Sequence, residues 1–122
     1  MEIEWNTKFI DPSNLISISR GDSAKMERYL RQFMELIPTR VADLKMHLKD
    51  GNRKLIRQTL HQMSPQLQFF GIPNVVMPIK RLELEYETMP FKDLESLINE
   101  ILQKLDGAFE EVNGVIIDNF LP

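Results

Sequence analysis

An all-α fold, an antiparallel up-and-down four-helix bundle with a short additional N-terminal helix, is predicted by three observations. Apolar residues recur at helical spacing through four long segments. The breaks between those segments are short and carry Gly, Pro, Asp or Asn, so consecutive helices run antiparallel. Nothing reads as a strand, the one ambiguous run being Val115-Ile116-Ile117 near the end.

Residues 1–10 read as an irregular arm that Trp5, Phe9 and Ile10 anchor to the body. A short helix then starts at Asp11-Pro12, with Asp as N-cap and Pro at the first helical position. It carries Leu15 and Ile16 and stops near Arg20-Gly21. Asp22 or Ser23 caps the next helix, whose apolar positions are Met26, Tyr29, Leu30, Phe33, Met34, Ile37, Val41, Leu44, Met46 and Leu48. Pro38 interrupts it, but the stripe drifts little across the proline. One kinked helix from about 22 to about 50 is therefore expected.

Asp50-Gly51-Asn52 is a stop and a restart, with Gly51 as left-handed C-cap and Asn52 as the next N-cap. A third long segment, about 53–70, places Leu55, Ile56, Thr59, Leu60, Met63, Leu67 and Phe70 on one stripe, and Gly71 and Pro73 end it. The next helix, about 74–87, carries Val75, Val76, Ile79, Leu82, Leu84 and Tyr86, with Pro78 in its first turns. After Met89-Pro90-Phe91 the last helix shows a sustained stripe of Leu94, Ile98, Ile101, Leu105, Ala108, Val112 and Val115. Gly107 and Asn113-Gly114 weaken it, and fraying or a bend near 113 is expected.

The length of 122 residues implies one domain, 1–122, with a core that needs no staples. The chain has no cysteine, which excludes disulfides and thiolate metal sites. A net charge of -3 with dispersed basic residues leaves no nucleic-acid footprint. No apolar stretch approaches the roughly 18 residues that span a membrane. The acidic start Met1-Glu2-Ile3-Glu4-Trp5 is unlike a secretory signal, so a cytoplasmic protein is expected.

His61 is the most informative residue. It lies opposite the apolar stripe of its helix, among Lys54, Arg57, Gln58, Ser64 and Gln68. An imidazole there can react with something that docks, although a lone surface histidine is more often only solvated. His61 is ten residues past Gly51, so an antiparallel neighbour brings Arg40 to its level, and the following helix brings the region of Glu83 and Glu85. These glutamates read as a solvated face. Arg57 is one turn before His61, at a spacing that makes the side chains neighbours.

Pro65 stands four residues after His61 and removes the helical donor to the His61 carbonyl. Such a proline costs about 3 kcal/mol in a helix interior, a hint of function at this point of the helix. His47, the other histidine, lies near a helix C-terminus, where partial positive charge is favourable and a structural role suffices. The carboxylates lack metal-ligand spacing, and the methionines sit mainly at core positions.

This order of elements resembles the histidine-containing phosphotransfer (HPt) domain of bacterial phosphorelays. The resemblance covers roughly residues 11–112. It rests on the leading short helix, Gly21-Asp22, Phe33 followed by Pro38, Asp50-Gly51, Leu60-His61, Gly71 and Leu82-Glu83. It implies that His61 is a nucleophile relaying a phosphoryl group between receiver aspartates. Arg57, Ser64 and Arg40 would be the candidates for holding that group. Lys54, Gln58, Gln62, Pro65 and Gln68 would form the docking surface. The implied partners are response-regulator receiver domains, a hybrid histidine kinase being one source of them. No cofactor or metal of its own is implied, and no ATP-binding loop is present for kinase activity.

The sequence departs from the family signature of a lysine three residues after the histidine and a glycine four after. Here Ser64 and Pro65 stand there, and Gln62 replaces a common basic residue. Those departures keep open a second reading, a receiver-binding adaptor that carries no phosphate. A bundle with an unrelated interaction role is a third.

Overall fold

The computed structural model describes residues 3–120, so Met1 and Glu2 of the predicted arm lie outside the described residues. It contains five helices: α1 (Ser13–Ser19), α2 (Ser23–Lys49), α3 (Arg53–Phe69), α4 (Pro73–Glu85) and α5 (Phe91–Phe120). α2 packs on α3, α3 on α4, α4 on α5 and α5 back on α2, which closes the expected four-helix bundle. α1 leans on α2 as the additional short helix.

The starts and stops follow from local chemistry. The Asp22 carboxylate accepts from the Lys25 amide, and the Asn52 side chain accepts from the Leu55 amide, so each long helix opens on a satisfied donor. Gly51 ends the α2 connection at φ +66. Gly71 is required twice over. Its φ is +62, and a Cβ there would lie 2.5 Å from the Asp11 carbonyl oxygen. That close approach lets the Asp11 amide donate to the carbonyls of Phe70 and Gly71, which stitches the arm to the end of α3.

α1 begins one residue later than predicted. Pro12 is its N-cap, and the Asp11 carboxylate instead accepts from the amide and hydroxyl of Ser13. Both hydrogen bonds stabilise the ionised form, which holds the Asp11 pKa below the usual carboxylate value. α5 does not fray near 113 but stays helical through Gly107 and Gly114 to Phe120, because its buried stripe continues to Val115 and Ile116. Val115-Ile116-Ile117 is helical. Leu84 is not in the apolar stripe of α4. Buried Val75, Ile79 and Leu82 fix that face, and Leu84, two residues beyond Leu82, points to solvent at 87% exposure. Met46 and Leu55 are exposed for the same reason of phase.

α2 stays helical through Pro38 and α3 through Pro65. The core is apolar almost throughout, from Leu30, Phe33 and Leu44 on α2 to Ile98, Ile101 and Leu105 on α5. Phe33 meets Phe70 at 4.4 Å between ring centroids, which fixes α2 against the end of α3. The arm is irregular, as expected. Ile10 is buried, and Trp5 and Phe9 pack on the core. Phe9 lies where Gly107 leaves room, since a Cβ at 107 would come within 2.6 Å of its ring. The Glu111 carboxylate accepts from the amides of Lys8, Phe9 and Ile10 and holds the arm on α5.

Candidate functional site

The buried stripe of α3 (Ile56, Thr59, Leu60, Met63 and Leu67) locks the rotation of that helix. His61 is turned outward by it, and its side chain is 69% exposed. Lys54, Gln58, Gln62, Pro65 and Gln68 are exposed on the same helix. Ser64, one turn after His61, is half-buried, and its hydroxyl accepts from the Gln68 amide at 3.4 Å. Gln66 and Phe69 are half-buried. Phe69 packs on Tyr29 at 5.3 Å and on Phe70 at 5.5 Å, and the Gln66 side-chain oxygen is buried without a protein partner.

His61 is not simply solvated. Its Nδ1 lies 3.0 Å from the Glu83 carboxylate of α4. A carboxylate can only accept, so the proton between them is carried by Nδ1. In the neutral ring the lone pair is then on Nε2, the nitrogen that Glu83 does not engage. Glu83 thus selects the tautomer and the ring orientation of an exposed imidazole. The expectation that Glu83 is a solvated face is overturned. It flanks buried Leu82 on the side that faces α3, and only part of its side chain meets solvent. Glu85 does behave as a surface residue and pairs with Arg81 at 3.2 Å.

The two candidate arginines differ in what holds them. Arg40 Nη1 donates to the Gln62 side-chain oxygen at 2.8 Å, and Arg40 Nε is buried without a protein partner. Arg40 therefore reaches the level of His61, as the register predicts, but it is tied to the next residue. Arg57 carries its guanidinium 5.5 Å from the ring centroid of Tyr86, over the ring face. Such a contact is worth about 0.5–1 kcal/mol at an exposed site and leaves the guanidinium edge free.

Tyr86 is the residue that sequence reasoning missed, since it read only as one more apolar position of α4. Its hydroxyl donates to Glu87 at 2.7 Å. That hydrogen bond raises the phenol pKa above its ordinary value of 10.0, against the opposing pull of the Arg57 charge. A register count could have found it, because residues of facing antiparallel helices that sum to about 144 stand opposite one another. Among the described residues no group of three His, Asp or Glu side chains could hold a metal ion, and no helix is long and apolar enough to cross a membrane.

No protein-family model matches the sequence, and no curated protein matches it. A solved structure of the same architecture is the crystal structure of the HPt domain from an Hpt sensor hybrid histidine kinase of Shewanella. It superposes with a TM-score of 0.78 over 93% of this chain and 97% of that one, at 18% sequence identity. The chain has the HPt fold. Coverage of that extent takes in the whole bundle rather than a single helical hairpin, so the likeness includes the seam of α3 and α4 that carries His61 and Glu83. At this identity the HPt likeness concerns architecture, and the chemistry rests on the side chains just described.

Proposed function

We propose that this protein is a histidine phosphotransfer carrier. His61 accepts a phosphoryl group from the aspartyl phosphate of one receiver domain and yields it to the aspartate of another. One observation carries the reading: an exposed imidazole whose Nδ1 is bonded to Glu83, so that the lone pair of Nε2 is directed to solvent.

The step balances without a proton donor. The Nε2 lone pair attacks phosphorus, an N–P bond forms, and the bond from phosphorus to the aspartyl oxygen breaks. The aspartate leaves as carboxylate with the electron pair. The Nδ1 proton stays in place, and the positive charge that develops on the ring faces the Glu83 carboxylate at hydrogen-bond distance. The reverse step returns the group. The groups that polarise the aspartyl phosphate belong to the receiver, and this chain supplies a positioned nucleophile with Lys54, Gln58, Gln62, Pro65 and Gln68 exposed around it for docking. The protein acts as a carrier in the cytoplasm, and ATP-dependent kinase activity is not expected of it.

The product is a dianion in mid-helix, away from the free amides of any helix N-terminus, so side chains must balance it. Arg57 is the cation placed to do so, with its charge held by an aromatic face instead of an acid. Arg40 serves by fixing Gln62.

Ser64 motivates the competing reading, an adaptor that binds receivers without carrying phosphate, because serine brings no charge to the position one turn past His61. Mass spectrometry of the intact protein, after incubation with phosphoramidate and separately with phosphorylated receivers, separates the two. The carrier shows an acid-labile phosphate that His61→Gln removes. Receiver binding with no phosphate at His61 makes it an adaptor.

A further inference from the structure

The facing sides of α3 and α4 carry three polar rungs in one register. His61 meets Glu83 at 3.0 Å. One turn earlier on α3 and one turn later on α4, Arg57 meets the face of Tyr86. One turn further, Arg53 Nη1 donates to the backbone carbonyls of Tyr86 and Met89, the first at 3.0 Å. The last rung anchors the backbone of Tyr86 itself, at the point where α4 gives way to its loop.

We infer that Tyr86 is a positioning residue for phosphoryl binding: its ring holds the Arg57 guanidinium by the face, leaving the coplanar N–H donors to engage a phosphoryl group on His61. The inference rests on the carrier reading and deepens it by naming how the charge of the missing family lysine is replaced.

Residues four apart on a helix share a face, so a group on the outward nitrogen of His61 is within the sweep of the Arg57 side chain. Guanidinium donors all lie in its plane, so stacking on a ring and hydrogen bonding to an anion do not compete. A long side chain that is already held loses less conformational freedom when the anion arrives. The charged groups around the two rungs are Arg53, Lys54, Arg57 and His61 on α3, Arg40 on α2 where it donates to Gln62, and Glu83 with Glu87 on and after α4. Glu83 is committed to His61 and Glu87 to the Tyr86 hydroxyl, so neither carboxylate is paired with Arg57.

Phosphorus NMR of the phosphoramidate-treated protein tests this, because the resonance reports ionisation of the phosphoryl group. A guanidinium bonded to the dianion favours it and lowers the titration midpoint. Arg57→Ala should raise that midpoint by about one unit, a tenfold loss of stabilisation of the kind expected for a charged hydrogen bond. Tyr86→Leu should weaken it about two- to fivefold, the share owed to the aromatic face. Tyr86→Phe keeps the ring and should behave as wild type, which a merely structural role of the hydroxyl would not allow. A midpoint unmoved by Arg57→Ala overturns the inference. So does a Tyr86→Phe protein that matches Tyr86→Leu. Wild-type protein that takes no phosphoryl group removes the carrier reading and this inference together, whereas the first two outcomes leave the carrier reading standing.

Discussion

α5 and the α3–α4 seam are built on opposite plans. α5 buries Leu94, Ile98, Ile101, Leu105, Ala108, Val112 and Val115 in one uninterrupted stripe and meets α2 and α4 through apolar contact. The seam between α3 and α4 has the same apolar floor, but its outer edge is lined by His61, Glu83, Arg57, Tyr86 and Arg53 in cross-helix pairs. The first surface supplies stability through area removed from water. The second uses that stability to hold a few polar groups in fixed relation at the solvent boundary. Stability and chemistry are thereby separated in space, and substitutions should sort accordingly.

The largest effect is expected in the α5 core. Ile101→Ala removes a fully buried side chain and should cost about 2–5 kcal/mol in chemical denaturation. Phosphoryl loading per folded molecule should be unchanged, and a loss of loading in the folded fraction would break the separation of roles. Gly107→Ala comes next. The new methyl meets the Phe9 ring, so about 1–3 kcal/mol should be lost despite the better helix propensity of alanine. In a Phe9→Ala background the same change should become neutral or stabilising. That reversal of sign would show that the cost lies in docking the arm and not in α5.

The sequence made α5 legible because one period of 3.6 residues, sustained over many turns, leaves a single choice of face. The fraying expected at Asn113-Gly114 does not occur for the same reason, since burial of Val112, Val115 and Ile116 outweighs the weak helix propensity of Gly114. α4 is shorter and was less legible. Its apolar residues include Leu84, which fits the composition of a stripe but not its phase, and it hid Glu83 as a surface acid. His61 and its level were readable from periodicity and loop lengths. Which side chain met the imidazole was not, because height along a bundle follows from counting residues while rotation depends on packing. Tyr86 was invisible for a related reason: an aromatic in an apolar pattern gives no sign that its exposed face carries a cation.

Smaller effects sharpen the contrast at α4. Leu84→Gln should change stability by no more than about 0.5 kcal/mol, a neutrality that no residue of the α5 stripe would share. The smallest effect is electrostatic. In a Tyr29→Phe background, ultraviolet titration of the remaining phenol should give a midpoint above the ordinary 10.0, and Glu87→Gln should lower it. A raised phenol pKa means that the hydrogen bond contributes to stability below the ordinary phenol value. That contribution is lost as pH rises through the folded-state value, so the effect is confined to alkaline conditions.

The most direct test of the account is nitrogen–phosphorus NMR of isotopically labelled protein after phosphoramidate treatment, which reads the state of each ring nitrogen of His61. The phosphoryl group is expected on Nε2, with Nδ1 still protonated toward Glu83. A phosphoryl group on Nδ1, or a His61 ring that remains unmodified, would contradict it.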